Sequence, residues 1–143
     1  MADLDPLIRL RKYAVEEKQK ILADLFREAE ALEGRKASLR EQMERERKVA
    51  EEKDEFETYS AYILFAERVR GEISDIEDKL EILDTKIDKA QDAMREAFAD
   101  MKKVEIIQRT RKEEERAAEE SKEASVLDEI GIEGFRRKDD TYS

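Results

Sequence analysis

The chain has 143 residues and a formal net charge of −10, and charged residues make up 48% of it while aromatic residues make up 6%. This composition is typical of long helices and coiled coils and not of a compact globular core. The sequence has no Cys and no His, which excludes disulfides, thiol catalysis and thiolate metal sites and removes the usual general base at neutral pH. We therefore predict an all-α protein that is not an enzyme and that needs no cofactor or metal ion.

The sequence also bears on location and partners. No segment approaches the ~20 apolar residues of a membrane span, and Met1–Lys12 lacks the apolar run of a signal peptide. We therefore predict a cytoplasmic protein with no direct membrane insertion. Because the net negative charge disfavours binding to nucleic acid and to anionic lipid, we expect the partners to be other proteins.

The first predicted helix covers about residues 5–52. Asp5 is suited to cap it and Pro6 to its first turn, where the missing N–H costs nothing. A stripe with alternating steps of three and four residues follows, which is the period of a coiled-coil seam. Its positions are Ile8, Arg11, Val15, Lys18, Leu22, Leu25, Ala29, Leu32, Lys36, Leu39, Met43, Glu46 and Ala50. Some of these are charged residues, whose aliphatic stems can pack while their charged ends reach water.

The seam does not continue in register after Ala50. The same register would next place polar residues inward, starting with Glu57, whereas the apolar residues follow a new phase that begins at Tyr59. Neither of the usual coiled-coil insertions, of three or four residues, produces this slip. We therefore predict a turn at about residues 53–58, in which Asp54 and Glu57 resemble a capping arrangement.

A second seam defines a second helix over about residues 58–122. Its positions are Tyr59, Tyr62, Ala66, Val69, Ile73, Ile76, Leu80, Leu83, Ile87, Ala90, Met94, Ala97, Met101 and Val104. Two complementary seams joined by a turn predict an antiparallel coiled-coil hairpin, with Leu39 roughly opposite Gly71. The second helix overhangs the first at its C-terminal end. We assign residues 1–125 to the hairpin and residues 126–143 to a short C-terminal tail.

The overhang carries two blocks of opposite charge. The basic block is Lys102, Lys103, Arg109, Arg111 and Lys112, and the acidic block is Glu113, Glu114, Glu115, Glu119 and Glu120. The simpler interpretation is a solvated helix face joined by i,i+4 ion pairs. The alternative is an electrostatic contact with the pore or groove of a partner. Further on, Val126–Phe135 forms an amphipathic patch interrupted by Gly131 and Gly134, either a frayed tail or a docking peptide.

Three stretches carry a resemblance to a known family. They are Pro6–Tyr13, Ala97–Glu105, and Leu127–Ile130 followed by Phe135–Arg137. In their order and in the total length of the chain they resemble the flagellar export protein FliJ, in its alphaproteobacterial form. The similarity spans nearly the whole chain. It implies a non-enzymatic cytoplasmic component of the flagellar type III export apparatus, built like the central stalk of a rotary ATP synthase.

The resemblance also implies partners and binding residues. The partners are the hexameric flagellar export ATPase, the cytoplasmic domain of the export-gate membrane protein, and export chaperones. We assign ATPase binding to the basic block, Lys102, Lys103, Arg109, Arg111 and Lys112. We assign export-gate binding to Tyr62, Phe65 and Val69, which match the family's gate-contacting stretch near the bend. The tyrosines that some members carry late in the first helix are absent here.

Other functions remain open from the sequence. A structural coiled-coil adaptor or homodimer would account for the two seams without any ATPase. A holdase-type chaperone would need larger exposed apolar patches than the pattern indicates. The export stalk is expected to be a monomer on its own, at the cytoplasmic face of the inner membrane through the export apparatus.

Overall fold

The computed structural model describes the backbone of residues 3–142 and the side chains of residues 3–137. It consists of two α-helices, α1 (Asp5–Lys53) and α2 (Phe56–Tyr142). The two long helices contact each other, and no strand occurs in the part of the chain that the structure describes. The predicted all-α helical hairpin is therefore confirmed.

The chain divides into two compact units, which we describe separately. The turn unit is Lys12–Phe98, and it contains the connection between α1 and α2. The end unit combines Met1–Arg11 with Ala99–Ser143, so that it contains the start of α1 and the later part of α2.

The core of the turn unit is a single apolar seam. Its buried residues are Val15, Leu22, Leu39 and Ala50 from α1 and Ala66, Val69, Ile73, Ile76, Leu80, Leu83 and Ile87 from α2. Every one of them occupies a predicted seam position. Leu39 packs with Val69, Ile73, Ile76 and Leu80 in one cluster. The period of 3.5 residues therefore identified the faces that the two helices bury against each other.

Two ion pairs cross between the helices beside this cluster. Arg35 contacts Glu72 at 2.9 Å, and Arg40 contacts Glu77 at 3.3 Å. Both pairs are exposed, so each contributes only about 0–1 kcal/mol to stability. The Arg35–Glu72 pair lies close to the predicted antiparallel register, in which Leu39 is roughly opposite Gly71. The Arg40–Glu77 pair departs from it, because that register places Arg40 opposite about residue 70.

The charged seam positions of α1 differ in how far they are covered. The Lys36 side chain is 17% exposed and its ammonium group contacts Glu33 at 3.3 Å, so its stem packs while its charge reaches the surface. Glu46, by contrast, is exposed, and the neighbouring Arg47 is half-buried in its place. The longer stem of Arg47 can lie along the edge of the seam, where Glu44 binds its guanidinium at 2.6 Å.

The turn is shorter than the sequence indicated and has a different cap. Asp54 has φ 49°, and its N–H donates to the carbonyl of Ala50 at 3.3 Å, as in a left-handed helix C-cap. Glu55 then caps α2, which begins at Phe56: its carbonyl accepts from the N–H of Tyr59 at 3.0 Å, and its carboxylate accepts from the hydroxyl of Thr58 at 3.3 Å. The reversal needs a positive φ, which Asp tolerates better than most side chains.

The end unit begins with the first turn of α1. The N–H of Asp5 donates to the carboxylate of Asp3 at 3.0 Å, and the N–H of Ile8 donates to the carbonyl of Leu4 at 2.9 Å. Asp3 therefore supplies the capping carboxylate that the sequence assigned to Asp5. Pro6 lies in the first turn, where its missing N–H leaves no hydrogen bond unmade.

The later part of α2 is covered only at its start. Met101 is buried, Val104 and Gln108 are half-buried, and every side chain from Arg109 to Arg137 is exposed. The helix nevertheless runs to Tyr142 and does not stop near residue 122. Gly131 and Gly134 lie inside it, and a glycine inside a helix costs only about 1 kcal/mol. The division into a hairpin domain and a separate tail stays a prediction.

Candidate protein-binding surfaces

The basic block lies on α2 in the end unit and faces solvent. Lys102 is half-exposed and contacts Glu105 at 3.1 Å. Lys103, Arg109, Arg111 and Lys112 are exposed. Lys103, Arg109 and Arg111 take part in none of the ion pairs that occur between described residues. Their charges are therefore available to a partner.

Part of the basic block lines a groove at the start of α1. The groove has a volume of about 430 Å³ and is lined by Ile8, Glu105, Gln108, Arg109, Lys112, Glu113 and Arg116. The structure thus brings Arg109 and Lys112 together and adds Arg116, which the sequence interpretation left out. Arg116 follows Arg109 by about two helical turns, which places the two side chains on the same face of α2. This spacing could have identified Arg116 from the sequence. Lys103 and Arg111 do not line this groove.

One side of the groove is fixed by a contact between the two helices. The side-chain amide of Gln108 donates to the carboxylate of Asp5 at 2.6 Å. This hydrogen bond, with the positive charges of Lys112 and Arg9, holds the pKa of the Asp5 carboxyl below its ordinary value. The other polar atom of Gln108, Oε1, is buried and has no hydrogen-bond partner among the described residues.

The acidic block directly follows the groove. All its glutamates are exposed, and one of them, Glu120, contacts Arg116 at 3.9 Å. A face joined throughout by i,i+4 pairs would use most of these charges internally. Among the described residues, most glutamates of the acidic block form no ion pair and face water instead.

The residues assigned to the export gate lie in the turn unit and are covered to different extents. Val69 is 4% exposed and belongs to the core cluster, against which the half-buried Phe65 packs. Tyr62 is half-buried, with its ring centroid 6.4 Å from that of Tyr59. Val69 can therefore support a binding surface but cannot provide one. The gate assignment itself stays a prediction.

The turn unit also exposes apolar side chains. Five of them form a group around the turn: Phe56, Leu64, Tyr59, Ile63 and Val49, of which Phe56 is 86% exposed. Others, such as Ile82 and Phe26, are exposed farther along the helices. Phe56 and Tyr59 line a groove of about 440 Å³ with residues of the turn itself. The sequence signal for Phe56 was its position as the single apolar residue in an otherwise polar connection.

The rest of the described chain offers no other kind of site. Neither helix, over its described residues, carries an apolar stretch that could span a bilayer. Carboxylates in the same residues do not converge in a group that could hold a metal ion. The amphipathic patch of the predicted tail, Val126–Phe135, is exposed on α2.

The fold and these surfaces define a class of protein: a helical hairpin that presents charged and apolar side chains to other proteins. The chain belongs to the FliJ family, since the family model for the flagellar FliJ protein matches residues 1–140. It is therefore a component of flagellar protein export, involved in flagellar biogenesis and motility, and its family is one of non-catalytic export proteins. Comparison with curated proteins and with solved structures gives no match.

Proposed function

We propose that this protein is a cytoplasmic stalk of the flagellar type III export apparatus, which binds the export ATPase ring and couples it to the export gate. Its partners are the ATPase hexamer, the cytoplasmic domain of the export-gate membrane protein, and export chaperones. It is held peripherally at the cytoplasmic face of the inner membrane through the apparatus and does not insert into the bilayer.

One observation carries the ATPase contact. In the end unit the covered part of α2 stops at Gln108, and the rest of the basic block, Arg109, Arg111 and Lys112, follows with the acidic block as exposed side chains. A two-helix stalk in a six-fold ring cannot match every subunit with specific, shape-fitted contacts. Charged contacts tolerate this mismatch better, because they act over a Debye length of about 8 Å at physiological ionic strength.

The test is a charge reversal in the basic block. We expect Arg109→Glu, Arg111→Glu and Lys112→Glu together to leave helicity unchanged but to weaken binding and stimulation of the export ATPase from the same cell. The effect should be larger at low salt, where charge interactions are screened less. Binding is measured with the purified ATPase, and stimulation by phosphate release.

The matched control reverses three exposed lysines of the turn unit. Lys79→Glu, Lys86→Glu and Lys89→Glu change the net charge equally and should leave stimulation close to that of wild type. If the basic-block variant stimulates like wild type while Tyr62→Ala with Phe65→Ala abolishes stimulation, the turn and not the overhang enters the ring.

The gate contact is supported by apolar exposure near the turn. Isolated apolar side chains are normal on any surface, but Phe56, Tyr59 and Leu64 are all exposed within nine residues. Alanine at Tyr62 and Phe65 should reduce binding to the gate's cytoplasmic domain and leave ATPase binding unchanged. Equal loss of both activities would indicate a folding defect and would contradict the assignment.

A further inference from the structure

We propose that the groove at the start of α1 binds an acidic peptide segment of the ATPase, with its carboxylates on Arg109, Lys112 and Arg116. This inference rests on the proposed function and refines it. It selects two residues of the basic block, adds Arg116, and assigns Lys103 and Arg111 no specific contact.

The three cations share one face of α2. At about 100° per residue, Arg109, Lys112 and Arg116 fall within about 60° of one another around the helix. All three line the same groove of about 430 Å³. Arg111 lies at least about 100° from each of them, on a different face. The carboxylates of one bound segment can therefore reach these three residues from the same side, whereas Arg111 faces another direction.

The groove also carries acids, which restrict how a partner can bind. The Glu105 carboxylate is occupied by Lys102 at 3.1 Å. Glu113 lies about 40° beyond Arg109 around the helix, at the edge of the cationic face. Glu120, which contacts Arg116 at 3.9 Å, lies on the same side as Glu113. We expect the partner's carboxylates to lie on the opposite side and to displace Glu120 from Arg116.

The structure already holds one carboxylate beside this groove. Asp5 accepts a hydrogen bond from Gln108, and the charge of Lys112 stabilises its ionised form. The site therefore favours a charged carboxylate over a neutral one.

An acidic peptide fits the groove, because its side-chain carboxylates match the three cations. A long polyanion such as nucleic acid matches less well. It would also lie against the acidic block that begins at Glu113, and the chain carries a net charge of −10.

The experiment compares two triple variants that each remove three positive charges from α2. The groove variant is Arg109→Ala, Lys112→Ala and Arg116→Ala. The matched variant is Lys103→Ala, Arg111→Ala and Lys122→Ala, whose side chains are exposed and lie outside the groove. Lys102 is left intact in both variants because its loss would free the charge of Glu105.

We expect the groove variant to weaken binding to the intact ATPase about tenfold, as the loss of three partly exposed charge contacts implies. The matched variant should weaken it by less than about threefold. Circular dichroism on both proteins confirms that the helices remain. In wild type, but not in the groove variant, a glutamate-rich peptide should also shift the side-chain amide resonances of Gln108.

The alternatives give different results. Equal weakening by the two variants would mean that only total charge matters, which overturns the groove but leaves the ATPase contact standing. No weakening by either variant would overturn both the groove and the proposed ATPase surface. Binding of single-stranded oligothymidylate that the groove variant abolishes would assign the groove to nucleic acid and overturn the peptide.

Discussion

The side-chain amide of Gln108 donates a 2.6 Å hydrogen bond to the carboxylate of Asp5, a residue 103 positions earlier in the chain. This contact fixes the first turn of α1 against α2 at Gln108, the last half-buried residue of α2. It also lies at the edge of the groove that we assign to the ATPase. Neither residue stood out in the sequence as one of a pair.

This contact predicts how Asp5 responds to acid. Because the pKa of Asp5 is lowered in the folded protein, the contact is fully present above the ordinary carboxyl pKa of about 3.9 and is lost as the pH falls through the lowered value. Carbon NMR of the Asp5 carboxyl should show a lower midpoint in wild type than in Gln108→Ala. Gln91→Ala, in the turn unit, is the control. Identical midpoints in wild type and Gln108→Ala would contradict this account.

The turn predicts a stabilising substitution. Because Asp54 has a positive φ, Asp54→Gly should raise the free energy of unfolding in urea by up to about 1 kcal/mol, and Asp54→Val should lower it. Glu52→Gly, two residues earlier and inside α1, should instead destabilise by about 1 kcal/mol. A lower stability for Asp54→Gly would mean that the Asp54 side chain has a role beyond its backbone conformation.

The core predicts that substitutions at two neighbouring residues, Leu83 and Ile82, change stability by very different amounts. Leu83 is 3% exposed, whereas Ile82 is 58% exposed. Leu83→Asp should bury an unpaired charge and cost roughly 3 kcal/mol or more, while Ile82→Asp should change stability by less than about 0.5 kcal/mol. Thermal melts followed by circular dichroism compare the two. Similar losses in both variants would show that the seam register is wrong at this layer.

The charged positions of α1 predict an available gain in packing. The Lys36 side chain is largely covered although it is charged, so Lys36→Leu should stabilise the protein by about 1 kcal/mol. Lys79→Leu, at an exposed position of α2, should have little effect. Strong destabilisation by Lys36→Leu would show that the layer facing this residue has no room for a branched side chain.

The hairpin predicts a short distance within one molecule. The natural chain has no Cys, so spin labels can be attached to Lys12→Cys and Phe98→Cys alone. Both positions lie in the turn unit. Packed helices lie about 8–10 Å apart, so most label distances should fall below about 25 Å.

Dilution tests whether that distance arises within one chain. Excess unlabelled protein should leave the distance unchanged, and light scattering should give the mass of a monomer. If dilution removes the short distance, the chain is a homodimer of the adaptor type and not a monomeric stalk.

The apolar period by itself determined the faces that the helices bury. The α2 seam from Ile73 to Ile87 was predicted position by position, because a repeat of 3.5 residues leaves only one stripe able to face a partner helix. The slip in phase after Ala50 likewise required a turn before Tyr59. The family resemblance, which depends on short stretches in a fixed order, also follows from the sequence and agrees with the family match.

The tertiary structure alone decided which polar residues stand at the ends and edges of these faces. Asp3, Asp5 and Asp54 are chemically equivalent in the sequence, but one caps α1, one accepts from Gln108, and one takes the left-handed conformation of the turn. Similarly, Arg116 and Arg111 both stand at the end of the seam, and only Arg116 lines the groove. Apolar periodicity reports burial, whereas these roles depend on distances between residues far apart in the chain, which exist only once the helices have packed.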